Sequence, residues 1–254
     1  MKKLLAITAL SAALFFGQTA VAEEKAAEEV KPSHVEMVLV LDESGSMSNL
    51  TNDTIGGFNS MIEKEKKLDV DAHVTTVLFN DQYKMLYNRR ELKDVRKMTD
   101  KDYTPGGMTA LLDAVGRTIH KMDMVAGIHR KDKGNKVLFV IITDGEENDS
   151  KEYTYADVKK LIKDRQENAG WEFIFLGANI DAAAAAENLG IDRDRAVKYK
   201  NTGSGVRANF KAVAELSDSL AKSGRVSDEW KETVEKDEDD AADKQSAAVT
   251  LHRR

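Results

Sequence analysis

Four short apolar runs punctuate the chain: Val35 to Leu41, Val74 to Phe79, Val137 to Ile142 and Phe173 to Leu176. They are rich in Val, Ile, Leu and Phe and show little alternation, the pattern of strands covered on both faces within a parallel sheet. Tyr83 to Tyr87 follows Phe79 across Asn80-Asp81-Gln82. A gap that short permits only an antiparallel hairpin, so this run predicts an edge strand. Ala196 to Tyr199 is a weaker last strand. Between the runs the period changes from short blocks to spacings of three and four. Ile55, Phe58 and Ile62 mark one helix, and Leu112, Val115, Ile119 and Met122 a second. Thr154 with Asp157 resembles a capping box ahead of Val158, Leu161 and Ile162. Asp181 caps the alanine run Ala182 to Ala186, and Val206, Phe210, Val213, Leu216 and Leu220 mark a final amphipathic helix. Strands alternating with helices predict an α/β fold: a doubly wound, mostly parallel central sheet with one antiparallel edge strand and helices on both faces.

The ends of the chain follow other rules. Lys2 and Lys3 precede an apolar stretch from Leu4 to Phe16, and small residues lead to Ala20-Val21-Ala22. A charged start, a short apolar stretch and an A-x-A site describe a secretory signal peptide over residues 1–22. An acidic linker over 23–33 follows, so the domain is expected over 34–224 and the protein is expected to be exported, periplasmic or secreted. Residues 225–254 read as a charged, solvated tail. Within it Val226, Trp230 and Val234 lie at i, i+4, i+8, the spacing of one helix stripe, so the alternative to a solvated tail is a docking helix anchored by Trp230. The acidic run Asp237 to Asp240 lacks the spaced ligands and glycine bend of a calcium loop.

Composition narrows the chemistry. With no cysteine among 254 residues there are no disulfides, no thiolate metal sites and no thiol nucleophile. Loss of the signal segment removes two lysines and no acid, taking the net charge from −6 to −8. That acidity argues against a nucleic-acid partner. After cleavage no later segment is apolar enough for stable membrane insertion.

The candidate chemistry sits at the strand ends. The first strand runs into Asp42-Glu43-Ser44-Gly45-Ser46, where alternate side chains of an extended segment point the same way. Pro105-Gly106-Gly107-Met108-Thr109 turns into a helix and presents the Thr109 hydroxyl. The strand Val137 to Ile142 ends in Thr143-Asp144-Gly145. In open α/β sheets, ligands bind outside the carboxyl ends of the strands, where such loops converge. Two carboxylates and three hydroxyls with no His or Cys suit a hard divalent cation: Mg²⁺ first, with Mn²⁺ or Ca²⁺ as alternatives. Two carboxylates at most balance such an ion, which then accepts a further anionic oxygen.

At these residues the sequence resembles the von Willebrand factor type A (vWA) domain family. The D-x-S-x-S motif stands as Asp42, Ser44 and Ser46, the threonine after a glycine turn as Thr109, and the strand-end aspartate as Asp144. The likeness covers about residues 34–222 in the family's order, and Asp42 to Met47 with Thr109 to Asp113 is most similar to bacterial members. It implies a Rossmann-like vWA fold in which Asp42, Ser44, Ser46, Thr109 and Asp144 form a metal-ion-dependent adhesion site. It further implies a binding module, not an enzyme, whose protein partner offers a carboxylate to the metal. The alternatives are a metal-dependent hydrolase or phosphoryl-transfer enzyme, and a structural envelope protein whose metal serves no recognition. No P-loop, H-E-x-x-H or G-x-S-x-G motif supports catalysis.

Neighbouring residues have plainer expectations. Glu43 alternates away from the ligands and supports a loop. Asp113 is either an outer support of the site or a helix acid. Glu146, Glu147, Asn148 and Asp149 read as a solvated rim. His34, His73, His120, His129 and His252 show no metal-ligand spacing and default to ordinary structural roles.

Overall fold

The computed structural model describes residues 34–67, 71–125 and 135–236. The expected signal peptide, the linker, the acidic run after 236, His129 and His252 lie outside the described residues.

All six expected strands form. They are β1 (His34–Asp42), β2 (Ala72–Phe79), β3 (Tyr83–Glu91), β4 (Asn135–Thr143), β5 (Glu172–Gly177) and β6 (Ala196–Lys198). They make one sheet in the order β3-β2-β1-β4-β5-β6, parallel throughout except where β3 returns against β2. The order reverses direction at β1: the chain moves outward to β2 and β3, then crosses back to β4. The carboxyl ends of β1 and β4 therefore flank the switch point of the sheet, where a crevice opens.

The helices are α1 (Thr51–Glu65), α2 (Leu111–Asp123), α3 (Tyr155–Asp164), α4 (Ala182–Leu189) and α5 (Gly203–Ser223). Alternation along β1 shows how the layers are built. Val35, Met37, Leu39 and Leu41 pack with Phe58 and Ile62 of α1 and Phe210 and Leu216 of α5. Val38 and Val40 pack on the opposite face with Val115, Val158 and Ala186 of α2, α3 and α4. The capping box at Thr154 and Asp157 is present, as is the Asp181 cap, which accepts from the Ala184 N–H. On α1, Gly57 permits close approach of α5: a Cβ there would stand 2.5 Å from the Phe210 ring.

The C-terminal flank differs from its expectation. Val226, Trp230 and Val234 are buried in the same cluster as α5, and 230–236 is helical. The expected solvated tail therefore begins too early at 225, because the packed domain continues at least to Val234. Physically, the i, i+4, i+8 stripe is narrow, and the charges that dominate the composition occupy the other faces. Thr233 ties the segment to α5 through Glu215 at 2.7 Å.

Glu65, at the end of α1, is 2% exposed and faces α5. Ser217 Oγ donates to one of its oxygens at 2.6 Å, while the other has no partner among the described residues. Burial pushes its carboxyl up to about 7, against the Ser217 hydrogen bond and Lys64 and with Asp218 adding to the rise. The neutral acid is thus the form that folding favours. Its stabilisation is complete below about pH 4.5 and is lost as pH rises through about 7. A Glu65→Gln variant should match wild type near pH 4.5 and exceed it by about 3 kcal/mol at pH 8. Urea unfolding at both pH values checks this, and a difference that does not change with pH contradicts it.

Candidate functional site

Parallel pairing of β1 with β4 sets Leu41 beside Ile142, which brings Asp42 next to Thr143. Thr143 Oγ1 donates to Asp42 Oδ2 at 2.6 Å, and the Ser44 N–H donates to Asp42 Oδ1 at 2.7 Å. Both oxygens of Asp42 are thereby fixed. The chain then passes through Gly45 into a short 3-10 turn, Gly45–Leu50, which lifts Ser46 to the surface. Ser44 Oγ and Ser46 Oγ lie 3.0 Å apart, and Ser46 Oγ donates to Asp144 Oδ1 at 2.5 Å. Asn201, in the loop before α5, donates to Asp144 Oδ2 at 3.2 Å. Four of the five expected residues thus form one hydrogen-bonded chain.

Thr109 completes the group from the third loop. A Cβ built on Gly145 would stand 3.8 Å from Thr109 Oγ1 and 3.9 Å from Ser46 Oγ, so the two hydroxyls border the same small space. Several contacts position this loop. Gly107 adopts φ +75°, and a Cβ there would sit 1.9 Å from Asp81 Oδ1, so the turn requires glycine. The Gly106 N–H donates to the Glu43 carbonyl and the Gly45 N–H to the Gly107 carbonyl. As expected, Glu43 points away from the other donors. It is buried, pairs with Lys84 at 3.0 Å and accepts from the Thr104 N–H at 2.5 Å.

The acidic loop after Asp144 is less solvated than its sequence implies. Asn148 accepts from the Thr109 N–H at 2.9 Å and returns its own N–H to the Thr109 carbonyl at 3.0 Å. Glu147 accepts from the Leu112 N–H at 3.0 Å, so it caps α2 from a distant loop where Ala110 supplies no side-chain cap. Glu146 and Asn148 remain exposed at the rim. Asp113 supports this arrangement from outside the donor group. Its carboxylate accepts the N–H groups of Lys151, Glu152 and Tyr153, each at 2.9 Å. Burial would push its pKa up, but these amides outweigh burial and hold it below the usual carboxylate range. Asp113→Ala should cost about 2 kcal/mol by leaving amides without acceptors. Faster hydrogen exchange at 151–153 checks this, and unchanged exchange there contradicts it.

Electrostatics sets the group apart. Asp42 and Asp144 are 1% and 2% exposed. Their side-chain partners are hydroxyls, one backbone amide and the Asn201 amide. Among the described residues no Lys, Arg or His forms an ion pair with either. Burial pushes the Asp42 carboxyl up, hydrogen bonds from Ser44 and Thr143 pull it down, and the charge of Asp144 adds to the rise. Two buried carboxylates that repel each other without a counter-charge are costly unless a cation joins them.

Two contributors were not evident from sequence. Thr143 was visible only as the residue before Asp144, and the β1–β4 register gives it a role. Asn201 comes from a loop 57 positions further on. A separate cluster also forms: His34 and His73, expected in ordinary roles, meet around Glu36 at the other end of β1. The nearest sequence spacing, His34 to Glu36, gave no sign of it because the third residue comes from β2.

Fold and geometry together define a doubly wound α/β domain with carboxylates and hydroxyls gathered at the carboxyl edge of its sheet. A profile for the vWA domain found in the TerF C terminus matches residues 34–191. The chain therefore belongs to the von Willebrand factor type A domain family. Among solved structures, it is similar to the vWF domain of the type V pili tip protein Mfa5 from Porphyromonas gingivalis. The TM-score is 0.52 at 13% identity, covering 78% of this chain and 99% of that one. A point mutant of the PilB minor pilin from Streptococcus sanguinis gives 0.54 at 12% identity, covering 74% and 62%. A proximal thread matrix protein of the mussel byssus, with a zinc-occupied MIDAS motif, gives 0.51 at 13% identity, covering 73% and 46%. At these identities the likeness concerns the fold. The chain spans less than half the length of several solved chains that it matches. No curated protein matches the sequence.

Proposed function

We propose that the chain is an exported binding module that holds a divalent cation with Asp42, Ser44, Ser46, Thr109 and Asp144. In this reading the five residues form a metal-ion-dependent adhesion site. The observation that carries the reading is the pair of buried carboxylates with no cationic side chain paired to them among the described residues. An all-oxygen donor set of this kind fits a hard ion, with Mg²⁺ first, Mn²⁺ or Ca²⁺ next. When bound, the ion supplies an electrophilic position that takes an anionic oxygen from a partner. The protein does the rest: Thr143 and the Ser44 amide hold Asp42, Asn201 holds Asp144, and Asn148 and Glu147 pin the Thr109 loop.

The rim supports recognition. Ser46, Gly107 and Met108 are exposed around the donors, and Met108 is 51% exposed. Beside them, Leu111, Gly145, Tyr155 and Ile180 line a cleft of about 280 Å³ that mixes apolar walls with Glu146 and Glu147. The acidic rim and a net charge of −6, or −8 without residues 1–22, repel anionic partners at long range, so a carboxylate partner is held by short-range contact at the site. Export is read from residues 1–22. Among the described residues no helix is long and apolar enough to cross a membrane. Similar structures include a pilus tip domain and a minor pilin. In this reading the module is not an enzyme: Ser46 Oγ hydrogen-bonds a carboxylate that itself serves the site, without the base and orienting group of an activated nucleophile.

Immobilised protein should retain its partner from an envelope or culture-medium extract in Mg²⁺ and release it with EDTA. The Asp144→Ala chain should retain nothing above background. Retention unchanged by EDTA overturns the metal-dependent reading.

A further inference from the structure

At the opposite end of β1, about 20 Å from Asp42 along the strand, three side chains converge for which the adhesion-site reading has no use. Parallel pairing sets Glu36 opposite His73, and His34 lies two residues before Glu36, so it faces the same way. His34 Nε2 is 2.7 Å from Glu36 Oε1 and 2.9 Å from His73 Nδ1, and the last two atoms are 3.3 Å apart. We propose that His34, Glu36 and His73 form a binding site for a transition-metal ion of the zinc class.

The triangle has the right scale. Tetrahedral zinc with ligands about 2.0–2.1 Å away spaces them about 3.3 Å apart. One edge already matches, and the other two need to open by about half an ångström. The donor set, two imidazoles and one carboxylate, is that of zinc and not of Mg²⁺.

The Glu36 hydrogen bond and the nearby Asp71 favour protonated His34 against burial, so a metal competes with a proton here. His34 Nδ1 lies 3.1 Å from Asp71 Oδ2. With the ring proton on Nδ1, facing Asp71, Nε2 turns a lone pair toward Glu36 Oε1. His73 Nδ1 offers its lone pair to a metal when its ring proton is on Nε2 and Arg89 Nη2, 3.2 Å away, releases it. In these tautomers both imidazole lone pairs and a Glu36 oxygen face one point, which a metal ion can take once Arg89 yields it. Asp71 on the far nitrogen of His34 is the carboxylate partner that orients metal-binding imidazoles. Glu36 is buried, while His34 and His73 are 13% and 24% exposed, which leaves the metal a path from solvent.

Arg89 is the competitor. It forms an ion pair with Glu36, and its Nε lies 3.0 and 3.1 Å from the two Glu36 oxygens. It sits where the β2–β3 register slips, with φ 45°, and its side chain is 31% exposed. It can therefore stay on Oε2 while Oε1 and His73 Nδ1 turn to the metal. Removing its charge should tighten metal binding.

Co²⁺ distinguishes the two sites, because four-coordinate nitrogen–oxygen sites absorb visible light strongly and six-coordinate oxygen sites weakly. Tag-free, metal-stripped full chain titrated with Co²⁺ should develop the strong bands at one equivalent and lose them to Zn²⁺. The bands should persist in Asp144→Ala and vanish in His73→Ala and in His34→Gln. Arg89→Gln should show a severalfold lower Kd. Circular dichroism confirms folding, and two histidine variants ensure that one misfolded chain does not decide the result. Absence of the bands in wild type, or their survival in both histidine variants, overturns the proposal. Because Asp144→Ala is scored separately, either metal site can fail without the other.

Discussion

Trp230→Ala lowers the unfolding free energy by about 3–5 kcal/mol, the range for removing a large buried aromatic. The indole is 2% exposed and lies in the cluster formed by β1, α1 and α5. Its Nε1 has no hydrogen-bond partner among the described residues, so its stabilising contribution is apolar burial, with the Lys231 ammonium 5.9 Å from the ring centre. Trp230→Phe should therefore lose much less, since the ring stays and the unpartnered donor goes. Chain ending at 224 should lose at least as much as Trp230→Ala, because Val226 and Val234 leave with the indole. Equilibrium unfolding of the three variants checks the order. If the shortened chain melts like wild type, the segment is merely laid on the domain.

The second large effect is linkage between the proposed ion and stability. With Asp42 and Asp144 buried together, the ion-free protein holds two repelling carboxylates and, among the described residues, no Lys, Arg or His paired with them. Ion binding to the folded chain alone adds about 2.7 kcal/mol when the ion is at a hundred times its Kd. Wild type should melt higher in Mg²⁺ than in EDTA. Asp144→Asn removes one charge of the pair, so it should melt above wild type in EDTA and gain nothing from Mg²⁺. This opposite pair of signs separates an ion site from an ordinary hydrogen-bonded turn. A turn would only be weakened by the substitution, with the same result in both buffers.

Much of the architecture was legible because the strongest patterns are local. The doubly covered runs of β1, β2, β4 and β5 and the three-residue gap before β3 marked the sheet. The capping box at Thr154 marked where α3 begins. The five candidate donors were also legible, since each stands in a short motif at a strand end or helix start. What stayed hidden depends on register or on distant chain. Thr143 acquires its role only when β4 pairs with β1, and Asn201 reaches Asp144 from a loop with no motif. Glu147 looked like one acid in a solvated loop but caps α2. Around Glu36, His34 and His73 are brought together by β1–β2 pairing across 39 positions, which no ligand spacing records. Trp230 was visible as a stripe, yet the charged residues around it favoured a solvated tail.

Isothermal titration of Mg²⁺ into metal-free wild type, Asp42→Ala, Asp144→Ala and His73→Ala tests the central claim most directly. Saturable one-site binding in wild type and His73→Ala, with none in either aspartate variant, is the result the structure predicts. Equal binding in wild type and both aspartate variants, or none in wild type, contradicts it.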